Sequence, residues 1–241
     1  MSKDTQLVIL SGASSGIGLA MARRLLEEGY QVIGISKDAN EKSLNHESFM
    51  PRQIDLSDID SLPKAMDDLV KEVDQLGLPV KALINNAGLG KMAFLEQLSV
   101  ADLRLVMDVN FMSHAIITKS FLPLLKKQGS GDIVFTGSEA ALKGSRQGSI
   151  YCASKFAIRG FAQALRDECG KSGVRVSILN PGAVRTPFFD ELNFEPGADP
   201  ENAVEADDVA AALMTVIEAR PGTVLEEISI SPQSHVWQRK K

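Results

Sequence analysis

Short β-branched runs alternate with helix-period segments from one end of the chain to the other. Runs rich in Val, Ile and Leu predict strands at Leu7–Leu10, Val32–Ile35, Arg52–Leu56, Ala82–Asn85, Ile133–Thr136, Val174–Leu179 and Glu227–Ile230. Between them, apolar positions three and four residues apart predict helices at Gly16–Glu28, Asp60–Gln75, Val100–Lys127, Ile150–Lys171 and Asp207–Ala219. Such repetition calls for right-handed crossovers and a buried parallel sheet with helices on both faces. No linker-like composition or internal repeat interrupts it, so residues 1–241 read as one α/β domain.

Composition narrows the function classes. A hydrophobic fraction of 44% over 241 residues suffices for a sizeable core. A net charge of −5 and a pI near 5.3 argue against nucleic acid as the main partner. The start, MSKDTQLVIL, has four consecutive apolar residues, too few for a signal-peptide core, and nothing approaches a membrane span. Cys152 and Cys169 fall in one predicted helix, so no mutual disulfide is expected, and a reducing, cytoplasmic setting is. Three scattered His and two Cys offer no metal-ligand spacing, and no metal site is expected.

The first strand runs into SGASSGIG and then a helix. Gly12, Gly16 and Gly18 permit a tight turn, close backbone approach to a pyrophosphate, and helix-on-strand packing. The helix N-terminus adds free N–H groups and partial positive charge, with Ser14, Ser15 and Ile17 in the same turn. A turn that binds nothing is the alternative; its place after the first strand of a repeating β/α chain favours phosphate. At the end of the second strand, an acidic side chain would grip an adenosine ribose and a basic one would accept a 2′-phosphate. Ser36 and Lys37 stand there, with Asp38 next; Lys37 is either a phosphate ligand or a solvated loop lysine. Asp55 and Leu56 end the predicted third strand, placed for adenine contact or for helix capping. Asn86, Ala87 and Gly88 follow the fourth strand, either as turn formers or as part of a ligand edge.

Asn110 lies within a long apolar helix, where it either braces the sheet or orders a water leading to Lys155. Pro123 is expected to bend that helix. After the sixth strand, Pro181-Gly182 forces a turn, with Val184 and Thr186 at the ligand edge and Thr186 placed for phosphate or carboxamide. Residues 187–205 hold Phe188, Phe189, Leu192 and Phe194 among turn formers, which suits a substrate-covering flap or a surface packing loop.

Acid/base chemistry is concentrated between Ser138 and Lys155. Tyr151 and Lys155 are four apart on one helix face. Lowering a tyrosine from about 10 to about 7 requires roughly 4 kcal/mol. One cation near 4 Å supplies about that at an effective dielectric of about 20, with desolvation opposing it. Ser138 is placed to hold a carbonyl or alcohol oxygen against the phenol. A lone Tyr-x-x-x-Lys is weak evidence; the surrounding constellation gives it weight.

Ser11–Gly18, Asn85–Gly88, Asn110, Ser138, Tyr151–Lys155 and Pro181–Gly182, in this order and spacing, resemble the compact short-chain dehydrogenases/reductases over nearly the whole chain. The resemblance implies a doubly wound, seven-stranded parallel sheet of Rossmann type and reversible hydride transfer between NAD(P)(H) and a small carbonyl or alcohol. It implies that Tyr151 is the acid/base and that Lys155 lowers its pKa and binds the nicotinamide ribose. Ser138 then positions substrate and Asn110 supports a proton relay. It also implies a homodimer or homotetramer built through the helices at Val100–Lys127 and Ile150–Lys171. Ser36 and Lys37 point to NADP(H) as the preferred cofactor, with NAD(H) still accepted. The alternative class, a dinucleotide-sensing regulator without turnover, would be expected to lack Tyr151 or Lys155.

Overall fold

The computed structural model describes residues 5–38 and 44–240. Seven parallel strands form one sheet: β1 (Leu7–Ser11), β2 (Gln31–Ser36), β3 (Phe49–Gln53), β4 (Val80–Asn85), β5 (Gly131–Thr136), β6 (Val174–Pro181) and β8 (Glu227–Ile230). Their order is β3-β2-β1-β4-β5-β6-β8, so the winding reverses between β1 and β4. Helices α1 (Gly16–Glu27), α2 (Leu62–Leu76), α3 (Val100–Met107), α4 (Ser113–Gln128), α5 (Ser149–Cys169) and α6 (Ala206–Ile217) make the crossovers.

The strands are apolar on both faces because both are covered, as in parallel sheets generally. With side chains alternating along a strand, Leu7 and Ile9 of β1 join a core with Leu69 of α2, Phe121 of α4 and Ile158 of α5. Val8 and Leu10 face the other way, into a second core with Leu25 of α1 and Leu213 of α6. The two layers are the expected doubly wound arrangement.

Beyond shifts of one or two residues at element ends, two elements differ from expectation. The third strand is Phe49–Gln53 rather than Arg52–Leu56, in register with Val32–Ser36. Asp55 stops it: its Oδ1 accepts from the Ser57 amide at 2.9 Å and the Ser57 hydroxyl at 2.6 Å, closing a turn. Asp55 does not cap α2, whose N-cap is Ser61. The single helix expected over Val100–Lys127 is interrupted by a π-helical turn at Asp108–Met112, between α3 and α4. Pro123 lies inside α4.

Sequence periodicity also missed a small antiparallel pair, β7 (Phe194–Pro196) with β9 (Trp237–Arg239). It ties the 187–205 segment to the end of the chain. Cys152 and Cys169 are both buried and free. No described helix is long and apolar enough to cross a membrane.

Candidate active site

The carboxyl ends of β1, β2, β4, β5 and β6 carry nearly every residue singled out in the sequence. At the reversal point, the turn Gly12–Ser15 leads from β1 into α1. Gly12 has φ +71, and a Cβ there would lie 2.8 Å from Ala87 Cα. Gly18 is tighter still: a Cβ would sit 1.9 Å from the Gly12 carbonyl oxygen. Ser15 is the N-cap of α1 yet makes no side-chain capping bond.

The turn is braced from the next strand. Ser11 Oγ accepts from the amides of Asn86 and Ala87 at 3.0 and 3.2 Å. Asn86 Nδ2 donates to the Ser11 and Gly12 carbonyls at 3.2 and 3.3 Å, while its Oδ1 accepts from Thr136 Oγ1 at 3.1 Å. Asn86 therefore acts through its side chain as a tie between β1, β4 and β5. Ser11 and Thr136 were not singled out in the sequence as site residues, since a lone hydroxyl at a strand end carries no local signal.

Ser36 ends β2, buried, and its hydroxyl donates to the Asp38 carbonyl at 3.1 Å. Lys37 is largely exposed, with Nζ 3.1 Å from Asp55 Oδ2. Hydrogen bonds from Ser57 first, and then Lys37, hold the Asp55 carboxyl below its ordinary value. Leu56 is buried in the core between sheet and helices. Pro181 closes β6, so the expected turn begins at Gly182, whose amide donates to the Ile230 carbonyl at 2.8 Å. Val184 bridges to Val204, and Thr186 packs by Gly16, where an added Cβ would meet Thr186 Cβ at 3.2 Å.

Ser138 begins a short 3-10 turn after β5, its Oγ accepting from the Ala140 amide at 3.1 Å. Tyr151 is 9% exposed and its ring centroid lies 5.7 Å from that of Phe188. Lys155, one turn on, is 4% exposed; its Nζ is 5.7 Å from the Tyr151 ring centroid and donates to the Thr136 carbonyl at 3.0 Å. The π turn aims Asn110 at the loop after β4. Its Nδ2 donates to the Leu89 carbonyl at 3.0 Å and to Ser154 Oγ at 3.1 Å, and its Oδ1 accepts from the Leu89 amide at 2.9 Å. These bonds tie the loop after β4 to α5 rather than bracing the sheet.

Charge in this cluster departs from expectation. Burial pushes the Tyr151 phenol up to about 12, against a lowering hydrogen bond with Ser138. Burial also pushes Lys155 down to about 8. The expected fall of the phenol below 10 is therefore absent in the chain alone, because losing water costs the phenolate more than these neighbours return. One turn beyond Asn110, the buried His114 is pushed down to about 3, by burial first and then by Lys155, and stays neutral.

Tyr151 and Ser138 open onto a cavity of about 630 Å³ whose wall includes Phe188, Phe189 and Trp237. Trp237 comes from β9, far along the chain, where a three-residue strand gives no periodic signal. A depression of similar size, about 640 Å³, at the amino ends of the strands is lined by Gly77, Leu78, Pro79 and Gln128 and lies away from this chemistry.

Residues 6–196 match the family model described as short chain dehydrogenase. The uncharacterized oxidoreductase YbbO of Escherichia coli (strain K12) is 34% identical over 187 residues, 77% of this chain and 68% of that protein. Retinol dehydrogenase 8 of Homo sapiens is 32% identical over 218 residues, covering 83% of this chain and 68% of the human one. Among solved structures, the alcohol dehydrogenase of the archaeon Thermococcus sibiricus, complexed with 5-hydroxy-NADP, superposes with a TM-score of 0.83 at 26% identity, covering 98% of this chain and 99% of that one.

Proposed function

Because the chain belongs to the short-chain dehydrogenase/reductase family of oxidoreductases, we propose that it transfers a hydride between NADP(H) and a small carbonyl or alcohol, with Tyr151 as acid/base. The observation that carries this reading is that Ser138 and Tyr151 open onto one cavity, with Lys155 Nζ 5.7 Å behind them from the Tyr151 ring centroid.

A dinucleotide suits these residues. The uncapped start of α1 leaves N–H groups and a positive end for a pyrophosphate, and Gly12, Gly16 and Gly18 let backbone come close. Gly88 keeps open the space next to the catalytic pair: a Cβ there would lie 3.4 Å from Asn110 Oδ1 and 3.6 Å from Lys155 Nζ. We assign Ser14, Ser15, Ile17, Asn86, Ala87, Pro181, Gly182, Val184 and Thr186 to the same cofactor site, and Ser36, Lys37, Asp55 and Leu56 to its adenosine end. When bound, the nicotinamide supplies or takes up the hydride.

The chain's own work is with protons and position. Tyr151 gives its proton to the carbonyl oxygen, or takes one from the alcohol. Ser138 holds the same oxygen by a second hydrogen bond. Lys155 contacts the ribose, and its charge steadies the phenolate that proton donation leaves behind. Asn110 fixes the loop after β4 and supports the relay that returns a proton. Segment 187–205 covers the substrate, with Phe188 against both Tyr151 and Gly90. Ser36 is neutral and leaves room for a 2′-phosphate, which favours NADP(H), while the Lys37–Asp55 pair moderates that preference. We propose a cytoplasmic homodimer or homotetramer joined through the α3–α4 segment and α5, where Phe156 is 44% exposed.

The test is absorbance of the reduced cofactor with a panel of aldehydes, ketones and diketones. Tyr151→Phe is expected to lower turnover about 10²- to 10⁴-fold with cofactor affinity within a few-fold. A variant that keeps most of the rate removes Tyr151 from the acid/base role.

A further inference from the structure

Two kinds of side chain line the cavity beside Tyr151. Some are aromatic: Phe189 and Phe194 pack edge-to-face at 6.1 Å between centroids, and Trp237 lies 5.9 Å from Phe189 and 5.3 Å from Phe194. Trp237 is still 51% exposed, an unusual amount of aromatic surface to leave wet. Others are cationic: Lys143 and Arg146 come from the loop before α5, and Arg239 from β9, beside Trp237. None of these three side chains has an ion-pair partner among the described residues.

Among the described residues, Glu139 is the one carboxylate lining the cavity, and it is already engaged. The Ser231 hydroxyl donates to its Oε1, and His235 Nδ1 lies 3.9 Å from its Oε2. Among the described residues, three cationic side chains thus share the lining with one committed carboxylate, in a chain whose net charge is −5.

The cationic loop is also held in an unfavourable shape. Gln147 has φ +62 and is the only non-glycine residue with positive φ among those described. Such a conformation is strained for a residue with a side chain and persists where surrounding structure imposes it. Arg146 is fixed as well, its guanidinium carbon 5.1 Å from the Phe94 ring centroid.

We propose that the substrate is an aryl or long-chain keto acid, or the matching hydroxy acid. Its apolar body lies on Phe189, Phe194 and Trp237, and its carboxylate on the rim formed by Lys143, Arg146 and Arg239. This specificity rests on the carbonyl–alcohol reading of the same site.

Trp237 is the only tryptophan in the chain and lines the cavity, so its fluorescence reports binding without turnover. The experiment titrates the full chain with 4-oxo-4-phenylbutanoate and with its methyl ester, while NADPH consumption is followed separately. The acid is expected to bind about 10- to 100-fold more tightly than the ester, the range of one or two charge-assisted contacts. In the Lys143→Ala/Arg146→Ala double variant that advantage should shrink to within about 3-fold, with ester affinity unchanged as the control for folding. Equal binding of acid and ester, survival of the acid's advantage in the double variant, or no fluorescence change with either compound overturns the proposal. Equal binding with NADPH consumed on both compounds overturns it and leaves the reductase reading standing. An acid preference lost in the double variant, without NADPH consumption, upholds the anion site and counts against the reductase reading.

Discussion

Lys155→Met should abolish turnover and yet stabilise the cofactor-free protein at neutral pH. The ammonium is 4% exposed and burial lowers its pKa from 10.5 to about 8. A depressed lysine pKa means that the unfolded chain holds its proton more tightly than the folded one. At about 1.4 kcal/mol per unit, keeping the charge buried costs about 3 kcal/mol at pH 7. Against this stands the donor to the Thr136 carbonyl at 3.0 Å, which either protonation state of Lys155 supplies and Met cannot, so that its loss leaves a buried oxygen unpaired at a cost of about 2 kcal/mol. The balance predicts a variant more stable by about 1 kcal/mol.

The sign of the pH dependence follows. Between about pH 8 and 10.5 the unfolded wild-type chain binds the extra proton, so wild-type stability rises with pH by about 3 kcal/mol relative to Lys155→Met. Above pH 10 the raised Tyr151 pKa lowers stability in both proteins and largely cancels from the difference. Urea unfolding of both proteins without cofactor, at pH 7 and pH 10.5, measures this directly. The order of stability should reverse between the two. A difference that stays flat with pH would show that the Lys155 ammonium keeps its water, and would refute the electrostatic reading of the site.

Other outcomes follow from the same geometry. Gly18→Ala puts a Cβ 1.9 Å from a backbone oxygen that cannot move aside; thermal unfolding should show a loss of about 3 kcal/mol, and dialysis an NADP(H) affinity lowered by more than about 10-fold. Lys37→Ala should weaken NADPH selectively, by about 10-fold, while Ser36→Asp moves the preference toward NADH; equal kcat/KM for the two cofactors in the wild type would show that Lys37 serves only Asp55. Phe188→Ala removes the ring 5.7 Å from Tyr151 and lets water reach the phenol. Its pKa should then fall from about 12 toward 10, read as a lower-pH limb in alcohol oxidation, and an unmoved limb would place Phe188 outside the cover.

The sequence made the layered fold legible because strand and helix periods differ and because both sheet faces are apolar. It also located Gly12–Gly18, Asn110, Ser138 and Tyr151–Lys155, whose spacings are set by single turns of helix or loop. What it left out depends on pairing at a distance. The π turn that aims Asn110 comes from bonds to Leu89 and Ser154, not from propensity. β7 and β9 are three residues each and exist only as a pair, so neither shows a period of its own. The third strand lay three residues early because the Asp55 turn, not hydrophobicity, ends it.

The charge of the Tyr151–Lys155 pair shows the same limit most sharply. Spacing alone suggested a cation drawing the phenol down. In the fold, both groups lose water together, and burial acts on each against its ion: the phenol goes up to about 12 and the ammonium down to about 8. Neither shift is visible from an i, i+4 spacing, since it depends on Phe188, Thr136 and the core beneath α5. At neutral pH the proton therefore rests on Tyr151, and Lys155 still carries its charge to receive the phenolate when that proton leaves. By itself the chain holds a protonated phenol above a buried cation, the state from which the proposed donation to a carbonyl would start.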